Sequence, residues 1–192
     1  MARWEPGTRE RLQSAALDLY LSRGFEQTTT EEIARTVGVT ERTFFRHFAD
    51  KREVLFDGQN QLEDALVRAV VDAPPEAGPL ALITLALDAA GEFFSEQRRT
   101  HSRRRQRVID SHPALQEREL LKLTHLARAL AQALREHGVA DPAAELTAGT
   151  GLIVFIQSFR AWLSPEETRT YQELERGLLR ELGAVVHPTA AS

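Results

Sequence analysis

The sequence has no cysteine, which excludes a disulfide framework, a thiol nucleophile and any zinc site built on thiolates. Its six histidines are scattered without metal-binding spacing, and no metal or cofactor is expected. There is no Walker loop, no Gly-x-Ser-x-Gly elbow and no His-Glu-x-x-His, so no catalytic residue is assigned and the chain is not expected to be an enzyme. No apolar run approaches the length of a membrane span, and the opening MARWEPGTRERL lacks the apolar core of a signal peptide. The expectation is therefore a cytoplasmic protein with no membrane partner. No segment alternates like a strand, and no internal repeat is visible. What remains is a chain of 192 residues, 42% hydrophobic and 27% charged, long enough for one or two small all-helical domains with a real core.

The chain also lacks the positive excess of a nucleic-acid binder, since its formal net charge is −4. That objection weakens once charge is localised. Between positions 35 and 52, Arg35, Arg42, Arg46, Lys51 and Arg52 face only Glu41 and Asp50, five basic side chains against two acidic ones for a net of +3. A local basic surface suffices to attract phosphates, because salt screens the charge of distant segments.

Residues 29–48 lie within this basic window or just before it, and they read as a DNA-reading helix-turn-helix. Thr29 can cap a short helix, with Glu32 three residues on closing a capping box. Ala34 is small where two helices must cross, and Gly38 sits where the first must stop. Thr40 can cap the second helix, whose Phe44 and Phe48 fall four apart on an inward face. Thr40, Arg42, Thr43, Arg46 and His47 are left facing outward.

Helical signals continue on either side. Residues 6–23 place Leu12, Ala15, Ala16, Leu19 and Tyr20 at helical spacing, and Gly24 closes that helix. Asp50 with Glu53 forms a second capping-box pattern and predicts a long helix from Lys51 to about Val71. The linker APPEAGP at 73–79 precedes an apolar helix from Leu80 to about Phe94. After a break near Ser111-His112-Pro113, a helix carrying Leu123, Leu126, Leu130 and Leu134 runs to His137, and Gly138 ends it. Asp141-Pro142 and Ser164-Pro165 predict two final helices over roughly 142–163 and 165–183, the second with Glu167 closing a capping box. The tail from His187 is expected to fray. The fold class is all-α: three helices carrying the motif, then about six more.

Thr28-Thr29, Ile33-Ala34, Gly38-Val39-Thr40, Thr43-Phe44-Phe45-Arg46-His47-Phe48 and Asp50-Lys51 together resemble the TetR family of bacterial transcriptional regulators. The motif covers about a quarter of the chain; the rest agrees only in length and helical pattern. The resemblance implies a helix-turn-helix DNA-binding domain over residues 1–50 and a helical ligand-binding and dimerisation domain over 51–192. It further implies a homodimer on a palindromic double-stranded DNA operator, acting as a repressor that a small-molecule effector releases. A ligand-independent regulator or activator with the same head, or a helical interaction module that never meets DNA, are the alternatives. By position, Thr29, His47 and Lys51 match family phosphate contacts. Thr40, Arg42 and Thr43 open the reading helix and are candidates for base edges, with Arg42 suited to guanine. Arg46 suits either purpose. Phe45 departs from the family tyrosine, so a phosphate-bonding hydroxyl is missing and only stacking on the backbone remains.

The run RRTHSRRRQR, residues 98–107, holds six arginines. If helical, Phe94, Arg98, His101 and Arg105 form one stripe. That face is either solvated and ion-paired, or it turns His101 and Arg105 toward a cavity for an anionic ligand. Phe94, with Phe155, Phe159 and Trp162 of the penultimate helix, are further candidates for pocket lining, although aromatics at this spacing also build plain core. Ala148-Gly-Thr-Gly151 suits close helix approach in a dimer, or room for a ligand.

Overall fold

The computed structural model describes residues 7–186, and among these the regular structure is helical throughout. Nine α-helices follow in order: α1 (Thr8–Arg23), α2 (Thr30–Thr36), α3 (Glu41–His47), α4 (Gln59–Val71), α5 (Pro79–Gly91), α6 (Glu96–Asp110), α7 (Pro113–Glu136), α8 (Ala143–Leu163) and α9 (Tyr171–Val186). A single 3₁₀ turn, Glu53–Phe56, lies between α3 and α4. The expected fraying tail from His187 lies outside the described residues.

The helices fall into two compact units. The first comprises residues up to Gly58 together with His101–Leu120; the second takes Gln59–Thr100 and the chain from Leu121 onward. The first unit therefore runs past residue 50 and recruits a segment fifty residues downstream, because its core needs both. Leu12, Ala16 and Tyr20 of α1 and Ile33 of α2 bury against Phe44 of α3, and Val54, Leu55, Phe56, Val108, Ile109 and Leu115 complete the same apolar cluster.

Gly58 explains why the helix expected from Lys51 to Val71 is interrupted. Its φ of 86° is a left-handed conformation, which costs a side-chain-bearing residue far more than glycine, so the chain breaks there and α4 starts afresh. Asp50 does act at the start of this segment, Oδ1 accepting the Arg52 and Glu53 N–H groups at 2.7 and 3.1 Å.

In the second unit α4, α5, α7, α8 and α9 share one core. A β-carbon at Gly151 of α8 would collide with the Ile83 side chain of α5, so this glycine serves close approach inside the unit. Gly149 meets nothing within 4 Å and stays open. By length and composition alone α8 is long and apolar enough to cross a membrane, a test that core helices of soluble proteins also meet. Ala148, Val154, Phe155 and Trp162 account for part of that apolarity by facing the core. Leu146 and Ile153 lie on the other face, 67% and 62% exposed.

The last helix begins later than Ser164-Pro165 suggests. Glu167 turns its carboxylate to the Thr168 and Arg169 N–H groups and to the Arg169 guanidinium, which holds its pKa at about 2. Thr170 and Glu173 then form the working capping box of α9: Thr170 donates its N–H to Glu173 Oε2 at 2.8 Å, and Glu173 N–H reaches Thr170 Oγ1 at 3.2 Å.

Candidate nucleic-acid interface

The first unit holds a short exposed helix on a buried foundation. Thr29 caps α2 by the reciprocal arrangement its spacing predicts, Thr29 Oγ1 accepting the Glu32 N–H at 3.2 Å and Glu32 Oε2 accepting the Thr29 N–H at 3.0 Å. The Thr29 N–H also holds the Glu32 carboxyl below its ordinary pKa. Gly38, at φ 74°, makes the turn that leads into α3. Thr40 caps α3 through the Thr43 N–H at 3.3 Å, and its hydroxyl lies 3.1 Å from that of Thr43. Beneath, Phe44 is fully buried, its ring 5.5 Å from that of Phe48. Thr30 of α2 donates its hydroxyl to the Glu41 carboxylate of α3, tying the two helices at the surface.

This foundation leaves Arg42 and Arg46 exposed on α3, and Arg35 exposed on α2. None of the three side chains makes a hydrogen bond or ion pair among the described residues. Phe45 is 52% exposed and meets Phe44 edge-on. Helix α3 thus carries two unpaired arginines, an exposed ring and, at its start, two threonine hydroxyls, with Arg35 exposed on α2. This arrangement can meet phosphates by charge and base edges by directed donors.

Not every expected contact residue is available. Lys51 Nζ donates to the carbonyls of Phe25 and Thr28 at 2.9 and 3.1 Å and sits 4.4 Å from the centre of the Phe25 ring. Its ammonium ties down the loop after α1, where the Lys51 carbonyl also accepts the Tyr20 hydroxyl at 2.6 Å. Arg52 is chelated by Asp50 at 2.7 and 3.1 Å. The basic charge counted from the sequence is therefore concentrated in Arg35, Arg42 and Arg46. His47 is half-buried, and its Nε2 is enclosed without a partner among the described residues, so a phosphate contact through that atom requires the ring to turn.

The arginine run does form a helix, but not the expected stripe. Phe94 lies before α6 begins and belongs to the second unit, whereas His101 and Arg105 belong to the first. Arg105 donates to the Leu55 carbonyl, lies 3.6 Å from Glu119 and 5.2 Å above the Phe56 ring. Burial lowers its pKa, with Glu119 opposing. The cavity that His101 and Arg105 help to line measures about 50 Å³, far below the roughly 300–1,000 Å³ of organic-ligand sites. A space of that size does not admit an organic anion, and the guanidinium already meets the Leu55 carbonyl and Glu119, while its Nη2 has no hydrogen-bond partner among the described residues.

Neighbouring side chains do more. Arg104 pairs with Asp18, Arg118 with Glu53 at 2.6 Å, and His112 with Glu26 at 2.6 Å, while His112 Nδ1 accepts the Ala114 N–H. Residues 101–120 are thus built into the unit that carries α3, a role the sequence reading missed. The arginine density was its signal, but the partners stand 65 to 86 positions away.

In the second unit Phe94, Phe155, Phe159 and Trp162 do meet. Phe94 lies 5.8, 5.0 and 5.7 Å from the other three, and 4.7 Å from Tyr171, which the sequence reading did not include. Arg99 stacks 5.2 Å over Trp162 and donates to the Glu167 and Arg169 carbonyls, fixing the segment before α9. A groove of about 660 Å³ between α5 and α9 is lined by Thr84, Arg169, Glu173, Arg176 and Arg180, none of them a residue expected at a ligand site.

Two family models match successive stretches of this chain, the second running through residues 101–120 that pack with the first unit. The family model for bacterial regulatory proteins of the tetR family matches residues 12–57, and one described as the MftR C-terminal domain matches residues 77–187. The HTH-type transcriptional regulator TcmR of Streptomyces glaucescens is 42% identical over 82 residues, which are 43% of this chain and 36% of TcmR, so the match spans about a third of that relative. MftR of Mycobacterium tuberculosis, whose name ties it to the regulation of mycofactocin biosynthesis, is 26% identical over 170 residues, 87% of this chain and 85% of MftR. Thermus thermophilus FadR, a TetR-family repressor solved with lauroyl-CoA, shares the fold with a TM-score of 0.57 at 24% identity over 96% of this chain and 98% of its own. The capped helix-turn-helix on a closed core and the matched helical region that follows it lead to one assignment: the chain belongs to the TetR family of bacterial regulatory proteins, a family of DNA-binding transcriptional regulators.

Proposed function

We propose that the protein regulates transcription by binding, without catalysis, as a homodimer whose two α3 helices enter successive major grooves of a palindromic operator. The observation that carries this reading is α3 itself, anchored by the fully buried Phe44 and presenting Arg42 and Arg46 without internal partners. Arg42 and the Thr40 and Thr43 hydroxyls suit base edges, while Arg46, Arg35 and Thr29 suit phosphates. Phe45 lies where it can stack on the sugar-phosphate backbone. A dimer is supported by α8, whose Leu146 and Ile153 expose apolar surface seven residues apart on one face, with the open Gly149 between them.

A small-molecule effector in the second unit releases the operator by favouring the conformation whose reading heads are wrongly spaced. Helices α6 and α7 support this coupling, since each supplies residues to both units and the part in residues 101–120 is ion-paired to α1 and the 3₁₀ turn. The test is selection of bound sequences from a random duplex pool. A palindromic consensus with half-sites roughly 34–36 Å apart, or a multiple, is expected. A consensus without two-fold symmetry overturns the dimeric reading, and failure to retain any duplex at low salt overturns DNA binding itself.

A further inference from the structure

The faces of α8 and α9 turned into the second unit carry polar atoms that the fold leaves unmatched. Glu175 is fully buried, and neither oxygen of its carboxylate has a hydrogen-bond partner. One turn earlier the Tyr171 hydroxyl is buried and unpartnered, and so is Ser158 Oγ, between Phe155 and Trp162 on α8. Native interiors rarely leave such groups unmatched, because each forfeits its hydrogen bonds to water without replacement. Asp88 of α5 adds a second negative charge nearby, paired at 3.2 Å with Arg176. Beside this polar patch stand five rings, with Phe94 at the centre of Phe155, Phe159, Trp162 and Tyr171.

We infer that Glu175, with the Tyr171 and Ser158 hydroxyls, is the polar end of an internal site for a small organic cation, an amine on an apolar aromatic body held against the Phe94 cluster. The inference rests on the reading of the second unit as the effector-binding part. A carboxylate has only acceptors to offer, and an ammonium brings the donors and the charge that match it. Aromatic faces attract the same cation through their quadrupoles. An anionic ligand would meet repulsion from Glu175 and Asp88. Burial lifts the Glu175 pKa to about 7, with Asp88 adding to the rise and Arg176 opposing it, and an ammonium beside the carboxylate would reverse that rise. Phe94 is half-buried in the connection between α5 and α6, outside both helices, so its ring is the one that can swing aside to admit a ligand.

The probes are 4-phenylbutylamine, 4-phenylbutan-1-ol and 4-phenylbutanoate, one skeleton in three charge states, each titrated calorimetrically into the full-length protein. The amine is expected to bind at least about tenfold more tightly than the alcohol, with the acid weakest. Glu175→Gln, checked for native circular dichroism and operator binding, should bring amine and alcohol within about threefold of each other. Tyr171→Phe should weaken the amine more than the alcohol, which keeps the question decidable if the glutamine variant fails to fold. Equal binding of the three probes, no heat with the amine up to about 1 mM, or an amine preference that survives Glu175→Gln would overturn the site. Operator release is read separately by mobility shift. Amine binding without release upholds the site and overturns the release mechanism alone.

Discussion

Replacing Glu175 with glutamine should flatten the stability of the protein between pH 4.5 and about 7. In the folded chain this carboxyl is raised from an ordinary 4.5 to about 7, chiefly by burial, with Asp88 contributing and Arg176 opposing. The folded state therefore prefers the neutral acid. The stability linked to that preference is complete below the unfolded value, near 4.5, and is lost as pH rises through about 7. At about 1.4 kcal/mol per pH unit, this interval corresponds to about 3 kcal/mol. Glutamine has the same shape and cannot ionise, so its profile lacks this slope. Urea or thermal unfolding of both proteins at one concentration, at pH 4.5 and at about pH 8, reads the difference. Wild type should lose about 3 kcal/mol more than the variant across that span, roughly 6–12 °C in Tm for a chain of this size. Parallel profiles would refute the reasoning, because they would mean that Glu175 ionises in the folded protein as easily as in water.

Arg42→Ala should weaken specific operator binding by roughly 1–3 kcal/mol and relax preference at one base pair; equal loss on random duplex would remove Arg42 from base reading. Lys51→Met keeps the apolar stem but frees the Phe25 and Thr28 carbonyls, so unfolding should cost about 1–3 kcal/mol less while the salt slope of DNA binding stays unchanged. A slope flatter by about one unit with normal stability would instead assign the ammonium to a phosphate. Gly151→Ala drives a methyl into Ile83 and should destabilise by about 1–3 kcal/mol in chemical denaturation; no change would mean that α5 and α8 can part without cost. Ile153→Glu, on the exposed face of α8, should convert dimer to monomer in sedimentation velocity and abolish operator binding at protein concentrations where wild type binds. A dimer that survives the substitution moves the interface elsewhere.

Much of the first unit was legible because its signals are local. Thr29 with Glu32, Gly38, Thr40 and the pair Phe44 and Phe48 act within four residues of one another, and each does what its spacing predicts. The late start of α9 was hidden by a competition of the same local kind. Ser164-Pro165 with Glu167 and Thr170 with Glu173 are both capping patterns, and the first fails because Glu167 turns forward to Thr168 and Arg169. Gly58 was visible as a residue, but a glycine inside a periodic pattern does not announce a φ of 86°.

By itself, the sequence determined the helical class, the caps and turn of the helix-turn-helix, and the inward face that holds α3, since these follow from short-range hydrogen bonding and the 3.6-residue period. Tertiary structure alone decided which charges remain free to act. Lys51 is drawn to carbonyls 23 to 26 positions back, Arg105 to a carbonyl 50 positions back, and Arg118 to Glu53 across 65. It also decided that residues 101–120 belong with the reading head and that Glu175 is buried with its oxygens unmatched. A charged side chain looks alike in sequence whether solvent or protein surrounds it, and only the packing of distant segments settles which one does.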